Sequence, residues 1–233
     1  VLHDAAGGRA LLAAIESRIG LIDRERASVR PGPTAAGDTT YLCTVDRNGM
    51  GVSLIQSNAA GFGSWLAQPN PGINLHNPGL GFPLPPGHRA EYPPGRRPPH
   101  TLAPALATRN GSLVAVLGTM GGDAQPQILL QLAARLFRHD ESPARAVDAG
   151  RWALRGPVTG FDTWTAREGQ VVQIEGHAPA SWDAALAARG HRVERIPAYD
   201  SSFGHAHAIV VEDGGVLAGF ADPRTVIGAC AAL

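Results

Sequence analysis

The chain has few of the features that would indicate a charged partner, a metal or a membrane. Its 20 Lys and Arg residues balance its 20 Asp and Glu residues, so no net field attracts nucleic acid or an acidic membrane surface. The two cysteines, Cys43 and Cys230, lie far apart and outside any C-x-x-C spacing. They support neither a disulfide framework nor a zinc site, and we expect both to be buried thiols.

Long apolar runs are also missing. The longest are far shorter than the roughly 20 residues that cross a bilayer, so we expect no membrane span. The chain opens on Val1 rather than on methionine, which leaves its compartment open between cytoplasmic, periplasmic and secreted. With 233 residues, 44% of them hydrophobic, it is long enough to bury a core.

The first third of the chain changes character twice. Residues 10–26 place apolar side chains at helical spacing and predict an amphipathic helix. Residues 31–38 contain mainly Pro, Gly and small residues, which predicts an exposed linker. Residues 40–46 and 51–56 are β-rich, and Asn48-Gly49 between them favours a hairpin turn. Thr39 is therefore expected to open a strand directly after a linker.

The remainder alternates between short strands and helices. Residues 69–104 are crowded with Pro and Gly and are too long for an ordinary connection, so they are either a functional loop or disordered. Helices are predicted at residues 127–138, 143–149 and 181–189, and strands at residues 113–118, 171–175, 191–196, 207–211 and 216–220. We interpret this order as an α+β protein with helices layered on an antiparallel sheet.

Thr39 is the residue to weigh as a nucleophile. A threonine exposed at a new chain end has a hydroxyl group to attack a carbonyl and an α-amine, with a pKa near 8, to take the proton. The sequence Asp38-Thr39 follows the linker, where such an end could be created. The alternative is that Thr39 and Thr40 simply begin a strand, and on this dipeptide alone that alternative is the more common.

Three other patterns are weaker. Gly121-Gly122, between a predicted strand and a helix, could point backbone N–H groups at a developing oxyanion, although such turns are also ordinary connectors. His205 and His207 could ligate a metal from one face of a strand, but no third ligand accompanies them. Ser57, Ser201 or Ser202 could join a histidine, yet no G-x-S-x-G elbow is present.

Taken in order, a run of motifs resembles the small, catalytic subunit of the γ-glutamyltransferase family. They are Thr39-Thr40-Tyr41, Phe62-Gly63-Ser64, Gly72-Ile73-Asn74-Leu75-His76-Asn77, Pro94-Gly95-Arg96-Arg97-Pro98, Gly118-Thr119-Met120-Gly121-Gly122, Gln125-Pro126-Gln127, Gly204-His205-Ala206-His207 and Ala221-Asp222-Pro223-Arg224. The resemblance covers residues 39–233, and residues 1–38 resemble the end of the large subunit followed by a processing linker.

The resemblance implies a precursor, or zymogen, that cuts itself between Asp38 and Thr39. Its two subunits would stay together as one four-layer αββα N-terminal-nucleophile hydrolase sandwich, a heterodimer or a dimer of heterodimers. Thr39 would attack the carbonyl of a small-molecule amide, Ser57 would support it, and Gly121 and Gly122 would stabilise the oxyanion. The implied substrate-binding residues are Asn58, His100 and Thr101, and neither a cofactor nor a metal is implied.

The chain also departs from the family pattern. His100 and Thr101 stand where the family usually has two serines, and Pro78 and Gly81 stand where a glutamine and an aspartate grip the substrate ammonium. We therefore expect hydrolysis or acyl transfer on a γ-glutamyl or related compound, with a cephalosporin-acylase-like activity as one variant. The rivals are a catalytically inactive scaffold or binding homologue, and an unrelated serine or metal hydrolase that uses His205 and His207.

Overall fold

The computed structural model describes residues 39–82, 86–87, 91–98, 100–155 and 169–232. The predicted helix at residues 10–26, the linker at residues 31–38 and its last residue, Asp38, lie outside the described residues. The strands are β1 Thr39–Val45, β2 Gly51–Ser57, β3 Ala67–Gln68, β4 Ile73–Asn74, β5 Ala105–Arg109, β6 Ser112–Thr119, β7 Trp152–Arg155, β8 Val171–Glu175, β9 Val193–Ile196, β10 Ala206–Val211 and β11 Leu217–Ala221. The helices are α1 Gln125–Arg138, α2 Pro143–Asp148 and α3 Ser181–Ala187.

The strands β1 and β2 form the predicted antiparallel hairpin, with Thr39 opposite Ser57 and Val45 opposite Gly51. Its turn is fixed by Asp46, whose carboxylate accepts hydrogen bonds from the backbone N–H groups of Asn48, at 2.9 Å, and Met50, at 2.8 Å. This side chain satisfies turn donors in the way that favours Asp before a tight turn.

A four-stranded antiparallel sheet in the order β11-β10-β6-β5 forms the centre of the fold. Asn110 and Gly111, which both have a positive φ, connect β5 to β6, as a two-residue hairpin turn requires. The strand β5 was not predicted, because it is a five-residue segment at the end of a region crowded with proline. Residues 69–104 also contain the short strand β4 and a 3₁₀ turn at Pro78–Gly81.

The hairpin and two helices pack on opposite faces of the central sheet. Ala115 and Leu117 of β6 lie in one apolar core with Ile128 and Leu132 of α1, whereas the alternate residue Gly118 faces Tyr41 of the hairpin. A Cβ atom at Gly118 would overlap the Tyr41 ring, so glycine permits the closest approach of the two layers. The described residues therefore form α, β and β layers, and the predicted α+β class is confirmed.

A three-stranded sheet, β7-β8-β9, lies beside α1, with β7 antiparallel and β9 parallel to β8. The helices and strands predicted within the described residues are present, with ends that differ by one or two residues in most cases. The helix α1 begins at Gln125 rather than at residue 127, and β9 begins at Val193 rather than at residue 191. The strand β7 was missed, since its four residues give too short a pattern.

Two expectations from composition have mixed outcomes. The expectation of buried thiols is wrong for Cys230, which is exposed, while Cys43 is half-buried. Cys230 lies after β11, in a segment where the described residues form no helix or strand. Within the described ranges, no helix has both the length and the apolar character needed to cross a bilayer.

Candidate active site

One end of the central sheet gathers most of the predicted site residues. The strand β2 runs in the same direction as β6 in the layer below, because Gly51 lies beside Leu113 and Val116 while Ser53 lies beside the Leu117 carbonyl. Ser57 at the end of β2, and its partner Thr39, are therefore at the end of the sheet where β6 runs into the Gly121 turn.

The hydroxyl groups of Thr39 and Ser57 are hydrogen-bonded, with Oγ1 and Oγ 2.8 Å apart. Ser57 Oγ also accepts a hydrogen bond from the backbone N–H of Ala59, at 3.0 Å. Both bonds restrict the rotation of Ser57 and give the Thr39 hydroxyl a fixed neighbour. The pairing follows from the register of the hairpin, which places the first residue of β1 opposite the last residue of β2.

Asn58 begins a loop that is tied to a distant segment. Its carbonyl accepts a hydrogen bond from Asn77 N, at 3.1 Å, and Asn77 Oδ1 accepts one from Ala60 N, at 3.0 Å. The 3₁₀ turn Pro78–Gly81 follows Asn77 immediately. Neither Pro78 nor Gly81 has a side chain that could pair with an ammonium group.

Gly121 and Gly122 form a turn that only glycine adopts easily. Their φ angles are 137° and 56°, and the turn continues through the 3₁₀ segment Gly122–Ala124 into α1. An ideal Cβ on Gly121 would lie 3.3 Å from the Cα of Gly204. The predicted arrangement of strand, glycine turn and helix is confirmed, and the turn lies at the electropositive N-terminus of α1.

His100 and Thr101 lie in the segment that leads into β5, with His100 exposed and Thr101 half-buried. This segment is held at the same end of the sheet, because Ala105 pairs with Leu117. Ala103 N donates to the Gln125 side chain at 3.3 Å, and Ala105 N donates to Ser53 Oγ at 3.1 Å. The structure therefore brings His100 and Thr101 to the end of the sheet that also carries Thr39, Ser57 and the glycine turn.

The two histidines that suggested a metal site have other neighbours. The His205 ring is hydrogen-bonded to Ser201 Oγ at 2.8 Å, and the His207 ring lies 6.2 Å from the Tyr41 ring. Burial lowers the pKa of both imidazoles, which keeps them neutral at neutral pH. Across the described ranges, no three His, Cys, Asp or Glu residues converge on a common point.

A buried ionic network behind the glycine turn was missed by the motif analysis, although Asp222-Pro223-Arg224 was among the resembling motifs. Asp222 bonds Arg151 at 2.6 Å and Arg224 at 3.0 Å, and Arg224 also pairs with Glu175. Arg151 Nη1 donates to the Phe203 carbonyl at 2.8 Å, which fixes the segment that backs Gly121. Burial lowers the pKa of Arg151 to about 10, so the guanidinium stays charged at neutral pH.

The sequence profile of the Gamma-glutamyltranspeptidase family matches residues 11–232. The oxamate amidohydrolase proenzyme of Klebsiella pneumoniae subsp. pneumoniae is 37% identical over 204 residues, which is 88% of this chain and 37% of that relative. The chain therefore spans little more than a third of the length of this relative.

Two solved structures share the fold. The cephalosporin acylase from Bacillus halodurans is 33% identical, with a TM-score of 0.71 over 95% of this chain and 38% of that one. A highly active mutant of γ-glutamyltranspeptidase from Pseudomonas nitroreducens is 23% identical, with a TM-score of 0.65 over 83% of this chain and 99% of that one. The predicted N-terminal-nucleophile hydrolase fold is confirmed, and the chain belongs to the γ-glutamyltranspeptidase family.

Proposed function

We propose that the whole protein is a self-cleaving amidohydrolase or acyltransferase whose nucleophile is Thr39. The observation that carries this proposal is the 2.8 Å hydrogen bond between Thr39 Oγ1 and Ser57 Oγ. This pair lies at the end of the sheet where β6 is followed by Gly121 and Gly122. A hydroxyl nucleophile, a supporting hydroxyl and candidate oxyanion donors thus share one site.

Self-cleavage would use the same hydroxyl as catalysis, before the α-amine of Thr39 is free. Thr39 Oγ1 attacks the carbonyl carbon of Asp38, the peptide C–N bond breaks, the hydroxyl proton passes to the released nitrogen of Thr39, and the resulting ester is hydrolysed by water. The free α-amine of Thr39, with a pKa near 8, then serves as the base that takes the hydroxyl proton when an amide substrate is attacked. The substrate's amine leaves, and water or an acceptor amine releases the acyl group from Thr39.

Gly121 and Gly122 would stabilise the negative charge that develops on the carbonyl oxygen. Their backbone adopts positive φ values in the turn that leads into the N-terminus of α1. Loss of one such donor typically costs about 3 kcal/mol of transition-state stabilisation. Ser57 contributes by holding the Thr39 hydroxyl, since it is itself fixed by Ala59 N.

For the substrate we propose an amide whose acyl part carries a carboxylate but no ammonium group. Pro78 and Gly81 cannot pair with an ammonium, whereas Asn58, His100 and Thr101 keep hydrogen-bonding side chains near the site. The relative named oxamate amidohydrolase acts on an amide of this chemical type. Losing a carboxylate–ammonium pair changes substrate preference by orders of magnitude, which makes glutathione a poor candidate.

We propose that residues 1–38 end a large subunit, which pairs with residues 39–233 as a heterodimer or a dimer of heterodimers. The outer face of the hairpin exposes Leu42, Val52 and Leu54, each by 43–44%. Alternation along β1 and β2 places these side chains together, opposite the face that covers the central sheet. A helical layer from the large subunit would cover this face and complete the αββα order.

The alternative proposal is an inactive scaffold or binding homologue, which the loss of the ammonium grip at Pro78 and Gly81 favours. Intact mass and N-terminal sequencing of the full-length protein separate the two proposals. We expect the wild type and the Thr40→Ala control to release a fragment beginning at Thr39, and Thr39→Ala to remain whole. A wild type that stays uncut would favour the scaffold, and a Thr39→Ala protein that still cuts would exclude Thr39 as the nucleophile.

A further inference from the structure

Three glutamines of α1 use their side chains in two different ways. The side-chain amides of Gln127 and Gln131 each bond a different residue of β7, accepting a hydrogen bond from its backbone N–H and donating one to its carbonyl. The Gln127 amide bonds Leu154 N at 2.7 Å and Leu154 O at 3.2 Å. The Gln131 amide bonds Trp152 N at 3.0 Å and Trp152 O at 2.9 Å. In these two residues the donor and the acceptor of the amide are both satisfied.

Gln125 is the exception. It is fully buried, and its Oε1 accepts the Ala103 N–H at 3.3 Å. Within the described part of the chain, no acceptor lies within hydrogen-bond distance of its Nε2. Turning the amide over would set its NH₂ group against the Ala103 N–H, so the bond to Ala103 fixes the orientation. A buried donor without an acceptor is costly and calls for a specific explanation.

The position of Gln125 suggests what the donor binds. Gln125 is the first residue of the 14-residue helix α1 and follows Gly122 by three positions. Through Ala103 it is joined to the segment that carries His100 and Thr101. Gln125 therefore lies between the glycine turn and the candidate substrate-binding segment, at a helix end where partial positive charge favours an anion.

One nearby charge opposes an anion. Asp123 is half-buried in the turn that precedes α1. It interacts electrostatically with Arg155, and this interaction offsets part of its repulsion. The Gln125 side chain, by contrast, is neutral. Its donor, Nε2, lies on the other side of the amide from Oε1, which already accepts the Ala103 N–H.

We propose that Gln125 Nε2 donates a hydrogen bond to the substrate's carboxylate, while Gln125 Oε1 holds the segment with His100 and Thr101 against the glycine turn. The inference rests on the proposed function, whose substrate it specifies further. Gln125 thus selects amides of dicarboxylic acids. Its donor would be satisfied only when such a substrate is bound, so binding would remove the cost of the unpaired group.

The test uses the processed full-length protein with Gln125→Met, Gln125→Glu and the matched control Gln127→Met. Two probes that differ only in the carboxylate, glutaryl p-nitroanilide and its methyl ester, separate recognition of the charge from general damage. We expect both Gln125 variants to raise KM for the acid about tenfold or more, with KM for the ester changed less than about twofold. Gln127→Met is expected to lower Tm and leave both KM values unchanged.

Calorimetric binding of glutarate gives a second readout that does not need turnover. The wild type and Gln127→Met should bind glutarate with similar Kd, and both Gln125 variants should bind it about tenfold more weakly. Equal glutarate binding by wild type and Gln125→Met, no binding by the wild type, or equal losses on acid and ester would each overturn the role of Gln125. A wild type that binds glutarate but neither cuts itself nor hydrolyses an amide would instead overturn the proposed function.

Discussion

Replacing Gly204 with alanine should disturb the glycine turn from behind. Gly204 has φ 77° and ψ 170°, a conformation that residues with a Cβ rarely adopt. An added Cβ would overlap the Met120 carbonyl oxygen and lie 2.5 Å from Thr119 Oγ1 and 2.9 Å from Ile128 Cδ1. Met120 immediately precedes Gly121, so relief of the clash moves the turn that we propose as the oxyanion site.

The expected cost is the sum of two effects. Overpacking a buried site costs about 1–3 kcal/mol, and the unfavourable backbone conformation costs about 1–3 kcal/mol more. Gly204→Ala should therefore lower the free energy of unfolding by about 2–6 kcal/mol, or the Tm by roughly 5–20 °C for a domain of this size. A displacement of the turn by about 1 Å would lower kcat by about 100-fold.

Gly214→Ala is the matched control. Gly214 has the same φ of 77°, with a ψ of 6° instead of 170°, and a Cβ there would meet no heavy atom within 4 Å. Denaturant unfolding and kcat are measured for both variants in the full-length protein. Gly214→Ala should show only the conformational cost and an unchanged kcat. If Gly204→Ala loses no more stability and no more activity than Gly214→Ala, the reasoning from the clash with Met120 is refuted.

Two further predictions concern buried groups. Asp222→Asn should cost about 3–5 kcal/mol of unfolding free energy, since it leaves the buried Arg151 without its paired carboxylate and Arg224 with Glu175 alone. Burial raises the pKa of Asp222, but the two arginines outweigh it, so the folded pKa is below 3.8. Its stabilisation is thus complete above pH 3.8 and is lost as the pH falls through the folded pKa. Urea unfolding should show that the difference in unfolding free energy between the wild type and Asp222→Asn narrows below pH 3.8. A difference that stays constant with pH would contradict the pairing. An aromatic disulfide reagent should label exposed Cys230 before Cys43, whose thiol pKa is raised by burial. Cys230→Ser should therefore remove the fast phase, and a fast phase that survives would place the exposed thiol elsewhere.

Much of the fold was predictable because its signals are local. The Asn48-Gly49 turn between two β-rich runs predicts the hairpin, and the apolar spacing of residues 127–138 predicts most of α1. The Gly121-Gly122 pair between a strand and a helix predicts the turn. The motifs around Thr39 predict the family, and the family match confirms it, whereas the catalytic role of Thr39 stays a prediction.

Other features are decided by contacts between residues far apart in the chain. The strands β5 and β7 are too short to show a period, and they are strands because β6 and β8 supply hydrogen-bonding partners. Gln125 resembles Gln127 in sequence, but the tertiary contacts bury it, bond its Oε1 to Ala103 N and, among the described residues, leave its Nε2 without an acceptor. The sequence by itself determined the hairpin, the helices and the family, because those signals lie within a few neighbouring residues. The tertiary structure alone decided which end of the sheet collects the site and what supports its glycine turn, because pairings across the whole fold set both.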